Sequence, residues 1–158
     1  MKAYKDGFDI VIGNPPYLGN KEIGAESQKV YEAIFNLKND MYVYFFLLSV
    51  ELAKEGGAVS YITPNTYMTL ASKIDLRELL LSKKLHEVAN VGGVFKNAVV
   101  DGAITIFTNS SRVEDMSVKC YHGNPSSFET PKHDTKVSIF EHALNKVIFS
   151  PTNLNLSL

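Results

Sequence analysis

The chain has 158 residues, 45% of them hydrophobic, and a formal net charge of −1. That is apolar material enough for one globular domain with a core, and too even a charge balance for a domain that binds nucleic acid tightly by itself. The single cysteine, Cys120, rules out an internal disulfide and fits a reducing cytoplasm, while the longest apolar run, Met41 to Leu48, falls well short of the roughly 20 residues that cross a bilayer.

Met1 to Gly7 is a polar lead-in without the apolar core of a signal peptide. Phe8 to Ile12 is apolar and rich in β-branched residues, which predicts a buried strand. Asn14-Pro15-Pro16-Tyr17 ends it, because the prolines cannot continue a ladder. Leu18 to Ser27 reads as a loop. Gln28 to Leu37 places Val30, Tyr31, Ile34 and Phe35 at helical spacing, with one buried face. Asp40 caps the next helix, Met41 to Lys54, which is apolar on nearly all sides and stops at Gly56-Gly57. The strand Ala58–Thr63 follows, closed by Pro64-Asn65, and strand–helix–strand predicts a parallel pair.

Thr66 to Ser72 is a second loop on the same sheet edge, and Lys73 to Leu81 an amphipathic helix. Leu85–Val91 and Ala103–Thr108 read as strands of an antiparallel hairpin, because no helix separates them. Ser117–Tyr121 reads as one more strand. From Gly123 the composition turns linker-like, with Pro125, Ser126, Ser127, Pro131 and His133, and Lys136 to Phe149 has helical spacing.

Asn14 to Tyr17 carries the chemistry. Ligands of open α/β sheets bind beyond the carboxyl ends of strands, where this turn sits. An sp² amine is a poor nucleophile because its lone pair is delocalised. Two acceptors on its N–H bonds favour a pyramidal nitrogen and aim the lone pair at an electrophile. The Asn14 side-chain oxygen is one acceptor and the Pro15 carbonyl the other, with Pro16 holding Pro15 extended. Tyr17 offers a flat face to a planar substrate, a contact worth about 1–3 kcal/mol per base.

The ordered set resembles the DNA N6-adenine methyltransferases of restriction–modification systems. It comprises Asn-Pro-Pro-Tyr, a helix opened by Asp40-Met41-Tyr42, then Gly56-Gly57-Ala58-Val59-Ser60-Tyr61-Ile62-Thr63-Pro64-Asn65-Thr66-Tyr67, and Val94 to Phe107. The resemblance runs from about Phe8 to Thr108. It implies that Asn14 and Pro15 accept hydrogen bonds from the adenine N6 amine, that Tyr17 stacks on a flipped base, and that Phe95 walls the other side. A core phenylalanine is the alternative for Phe95. Asp40 and Tyr42 match the motif that lines the cofactor and base pocket, although for Asp40 a helix cap is the favoured reading. Asn65 and Tyr67 lie at the same edge, where they meet substrate or simply make a turn. The cofactor implied is S-adenosylmethionine.

The family places a glycine-rich loop and an acidic strand end before Asn-Pro-Pro-Tyr. Only thirteen residues precede Asn14 here, and none of that pattern is among them. The expected fold is therefore α/β, a partial Rossmann-like methyltransferase sheet with the equivalents of strands 4-5-7-6, the seventh antiparallel and the first three missing. Residues 1–122 would be the C-terminal half of the catalytic domain, and 123–158 a linker and helix leading toward a target-recognition domain. The implied partners are DNA, the missing N-terminal half and that recognition domain. A second copy is a further predicted partner, through the edge that Phe8–Ile12 would expose.

The isolated fragment is expected to be inactive. Other classes consistent with the motif are a protein-glutamine or RNA methyltransferase fragment, and a non-catalytic half-domain that pairs with a partner chain. Cys120-x-His122 has too few partners for a metal site. Lys73 and Arg77 read as a solvated helix face or as phosphate contacts.

Overall fold

The computed structural model describes residues 6–93, 100–123 and 133–148. Its centre is a six-stranded sheet: β1 (Phe8–Gly13), β2 (Ala53–Pro64), β3 (Lys83–Gly92), β4 (Gly102–Ser111), β5 (Ser117–His122) and β6 (His133–Lys136). The spatial order is β1-β2-β4-β3-β5-β6. β1 and β2 are parallel, β4 is antiparallel to both β2 and β3, and β5 returns parallel to β3. The first four positions match the expected 4-5-7-6 order. β6, in the stretch that reads as linker, pairs antiparallel with β5 instead.

One face of the sheet is covered. Helix α2 (Met41–Leu52) turns Tyr42, Val43, Phe46 and Ser49 inward, against Val59 and Tyr61 of β2 and Phe107 of β4. The Phe46 ring sits 5.3 Å from Tyr61, 6.1 Å from Tyr67 and 6.4 Å from Phe107, centroid to centroid. Helix α3 (Ile74–Ser82) adds Leu76, Leu80 and Leu81 to this core. Helix α4 (Val137–His142) adds Val137 and Phe140, and Ile148 follows. α4 is shorter than the 136–149 pattern suggests, because the chain breaks into a separate turn, Leu144–Lys146, with Asn145 at φ 55°.

Among the described residues the other face is only partly covered, with Ser60, Ile62, Ile104 and Ile106 half-buried. The register puts Ile12, Ser60 and Ile106 in one row, and Ile62 beside Ile104. β1 is the edge strand that the missing first strand implies, and its face is bare as well, with Ile10 and Ile12 67% and 78% exposed, unlike the buried strand its composition suggests. Helix α1 (Ala25–Phe35) departs from expectation in the same way. Its buried residue is Gln28, while Val30 and Ile34 are exposed. What anchors it is Tyr44, which lies 4.9 Å from Tyr31 and 5.6 Å from Phe35, centroid to centroid. The Tyr44 hydroxyl also receives Gln28 Nε2 at 2.7 Å.

Gly56-Gly57 is not the helix stop. α2 ends at Leu52, with Ala53 already extended, and the glycines make a bulge at the start of β2. Phe8 pairs with Ala53 but Ile10 with Ala58, so the intervening residues loop out. A Cβ on Gly57 would lie 2.7 Å from the Phe8 carbonyl oxygen and 3.0 Å from that of Lys54. Both obstacles are backbone, so Gly57→Val is expected to cost about 1–3 kcal/mol in urea unfolding. Amide exchange should show the loss concentrated in β1, with β4 unaffected.

Among the described residues no helix is long and apolar enough to cross a membrane.

Candidate active site

β1 ends at Gly13, and the Asn-Pro-Pro-Tyr turn continues beyond its carboxyl end. Asn14 is exposed, Pro15 buried, Pro16 exposed and Tyr17 half-buried. Asn14, Pro15 and Pro16 are not among the residues that line the neighbouring cavity, which Tyr17 enters. Burial pushes the Tyr17 phenol above its ordinary pKa, so it stays protonated and uncharged at neutral pH.

A cavity of about 440 Å³ opens at this end of the sheet. Tyr17, Leu18, Gly19 and Glu22 line it from the loop after the turn. Asp40 and Tyr42 come from the start of α2, and Pro64, Thr66, Leu70 and Val100 complete it. The walls are mostly apolar, with two carboxylates and three hydroxyls set into them. Such a lining suits a flat heterocycle bearing N–H donors.

Glu22, Asp40, Tyr42 and Thr66 are each held by hydrogen bonds. Glu22 Oε2 accepts the Gly19 amide at 2.7 Å, and the Glu22 amide donates back to the Gly19 carbonyl at 2.9 Å. The Met41 amide donates to the Leu18 carbonyl at 2.9 Å, fixing the loop against α2. Tyr42 is 1% exposed and shares a hydrogen bond of 3.1 Å with Thr66 Oγ1. Burial raises its phenol pKa well above the ordinary value, which keeps it a neutral donor and acceptor.

Asp40 stands at the N-cap position of α2, but its side chain makes no cap hydrogen bond. Oδ1 accepts the Asn20 amide at 2.8 Å, and Oδ2 pairs with Lys73 Nζ at 2.5 Å. The helix-cap account of Asp40 thus holds for its backbone, whose carbonyl accepts the Val43 amide at 3.0 Å. The carboxylate belongs to the cavity wall.

Two residues fall elsewhere. Tyr67 is 0% exposed, and its hydroxyl is 2.6 Å from Thr105 Oγ1 inside the core. It cannot meet substrate. Asn65 is not in the cavity lining; its Nδ2 donates to Asn90 Oδ1 at 3.3 Å and its backbone amide to the Asp101 carbonyl at 2.9 Å. Both shape the turn Asn65–Met68 that presents Thr66. Tyr67→Phe should therefore lower stability by about 1 kcal/mol through the lost buried hydrogen bond. Ligand binding in a titration should stay unchanged. Phe95 lies outside the described residues.

Lys73 and Arg77, by sequence a solvated face, are both buried, at 5% and 0% exposure. Thr66 and Glu22 were not legible as wall residues either; only their loop positions hinted at it. Cys120 is buried and its thiol is pushed up to about 11, so it is unreactive at neutral pH. No cluster of metal-ligating side chains is present among the described residues.

The profile of the Eco57I restriction-modification methylases matches residues 2–95, which hold the turn, Asp40, Tyr42 and Thr66. The chain belongs to this family. Among curated relatives it is 30% identical over 97 residues to the type II methyltransferase M.BanIII of Aneurinibacillus aneurinilyticus, an alignment covering 58% of this chain and 17% of that protein. It is 28% identical over 109 residues to the adenine-specific methyltransferase BrxX of Escherichia coli O9:H4 (strain HS), covering 65% and 9%. A solved structure of a candidate class I S-adenosylmethionine-dependent methyltransferase from Listeria monocytogenes superimposes with a TM-score of 0.56 at 14% identity, covering 83% of this chain and 41% of that one. That likeness carries the fold. The chain thus spans less than a fifth of the length of these two curated relatives.

Proposed function

We propose that this chain is the C-terminal half of a DNA methyltransferase that transfers a methyl group from S-adenosylmethionine to adenine N6 in a restriction–modification system. The observation that carries this reading is the exposed Asn14 amide followed by Tyr17 in the wall of an acceptor-lined cavity. The adenine-specific name of one relative supports the choice of base.

On this reading Asn14 Oδ1 and the Pro15 carbonyl each accept one N6 hydrogen, and the turn fixes both before substrate arrives, so little reorganisation is needed. Tyr17 stacks on the extruded base. When bound, S-adenosylmethionine supplies an electrophilic methyl group. Asp40 and Tyr42 fit one side of it, offering a carboxylate to N–H or O–H donors and an aromatic wall. The glycine-rich stretch that holds its amino-acid end is not in this sequence, so residues 1–122 would complete the site only with the upstream half of the domain. The bare face of β1, with Ile10 and Ile12 exposed, is where that half would pack, and residues 123–158 would lead toward a target-recognition domain. Without such a partner the same edge favours a homodimer, and light scattering should then show mass above the monomer. A single cysteine, Cys120, and the nature of the substrate support a cytoplasmic location.

Isothermal titration tests the cofactor claim. S-adenosylmethionine should give little heat with the chain alone and saturable binding once the upstream half is added. No binding in either case would favour a non-catalytic half-domain, and saturable binding with transfer to protein glutamine or RNA would favour the other methyltransferase classes.

A further inference from the structure

Lys73 closes the turn Ala71–Lys73 just before α3, and a lysine buried to 5% exposure requires partners for its charge. Its ammonium pairs with Asp40 Oδ2 at 2.5 Å and donates to Asn39 Oδ1. The Tyr42 ring centroid lies 5.7 Å from Nζ. Asn39 in turn donates from Nδ2 to the Ser72 carbonyl at 3.3 Å, and its Oδ1 also accepts the Asp40 amide at 3.0 Å. Through Asp40 Oδ1 the network reaches the Asn20 amide, 20 residues away.

Three separate segments of the cavity wall therefore meet at one ammonium: the loop after the Asn-Pro-Pro-Tyr turn, the start of α2, and the stretch that carries Thr66 and Leu70. We propose that Lys73 is the positioning residue of this site: it holds the Asp40 carboxylate and, through it, the loop Leu18–Glu22 against the cavity. The proposal rests on the adenine reading above for what the cavity receives, but its own content is geometric. An ammonium suits the task because it can donate to two acceptors at once.

Amide hydrogen exchange on the full chain tests this directly. In Lys73→Met and Lys73→Gln the Asn20 amide should exchange at least about tenfold faster, as befits the loss of a charge-supported hydrogen bond, while amides of β4 keep their protection. Lys73→Arg, which retains a charged donor, should restore Asn20 protection. Unchanged Asn20 exchange in both uncharged variants would overturn the proposal. So would equal loss of protection at Asn20 and β4 in both, which marks general destabilisation; Lys73→Gln decides if Lys73→Met does not fold. Adenosine titrated in parallel should shift the Tyr17 and Tyr42 ring signals in the wild type and do so more weakly in Lys73→Gln. A wild type blind to adenosine would sink the adenine reading, while Asn20 exchange still decides the role of Lys73.

Discussion

Replacing Asn14 with alanine is expected to abolish most methyl transfer while leaving the fold intact. When the chain is supplied with the upstream half of the catalytic domain, the rate should fall about 10²–10³-fold, the cost of deleting one preorganised hydrogen-bonding group at a reacting atom. The side chain is exposed, so urea unfolding should move little, by less than about 0.5 kcal/mol. Binding of S-adenosylmethionine should change far less than the rate, because the acceptor acts on the amine and not on the methyl donor. A loss of binding equal to the loss of rate would place Asn14 in a ligand-holding role. Asn14→Asp keeps an acceptor and is expected to retain more activity than the alanine variant.

Replacing Arg77 should give the largest loss of stability. This guanidinium is fully buried with no carboxylate among its partners. Nη1 donates to the carbonyls of Tyr67 and Leu70 at 2.6 and 2.7 Å, and Nε donates to the Asn145 carbonyl at 2.9 Å. Nη2 is buried without a hydrogen-bond partner among the described residues. One planar fork thus joins the stretch below the cavity to the C-terminal arm, where the Ile148 amide also reaches the Met68 carbonyl at 2.9 Å. Arg77→Met removes a charged donor from three carbonyls, of which that of Leu70 keeps the Lys73 amide at 3.0 Å, and should cost about 3 kcal/mol or more in urea unfolding. Arg77→Lys should recover only part of this, since one ammonium cannot reproduce the fork. Exchange at Ile148 should quicken in both. An unchanged unfolding midpoint in Arg77→Met would show that the arm does not depend on the Arg77 fork.

Two pairings of the sheet were legible from local signals, while the place of β4 between β2 and β3 followed only from the family resemblance. The strand–helix–strand run gives β1 beside β2, and the helix-free connection gives the antiparallel β3–β4 pair. The turn at Asn14 was legible because two prolines end an apolar run. Burial on β1 and α1 was not. Ile10, Ile12, Val30 and Ile34 look like core by composition, but a side chain is buried only if another element faces it, and for these four no described element does so. Tyr67 and Asp40 show the reverse limit. Both match a motif in sequence, yet one turns into the core and the other toward the cavity, a choice made by Thr105 and Lys73, which lie far away along the chain. Lys73 and Arg77 were misjudged because charged residues beside an amphipathic helix are usually solvated; their partners are largely backbone carbonyls and one distant ion pair, which no periodicity records. β6 was hidden by the turn-forming residues on its N-terminal side.

The most direct measurement is the identity of the modified base. Unmethylated plasmid DNA is incubated with S-adenosylmethionine, the chain and the upstream half of the domain, then digested to nucleosides and resolved by mass. N6-methyladenosine (deoxy form) should appear with both halves present and disappear with Asn14→Ala. Methylation of cytosine, or N6-methyladenine made as fast by the Asn14→Ala protein, would contradict the account.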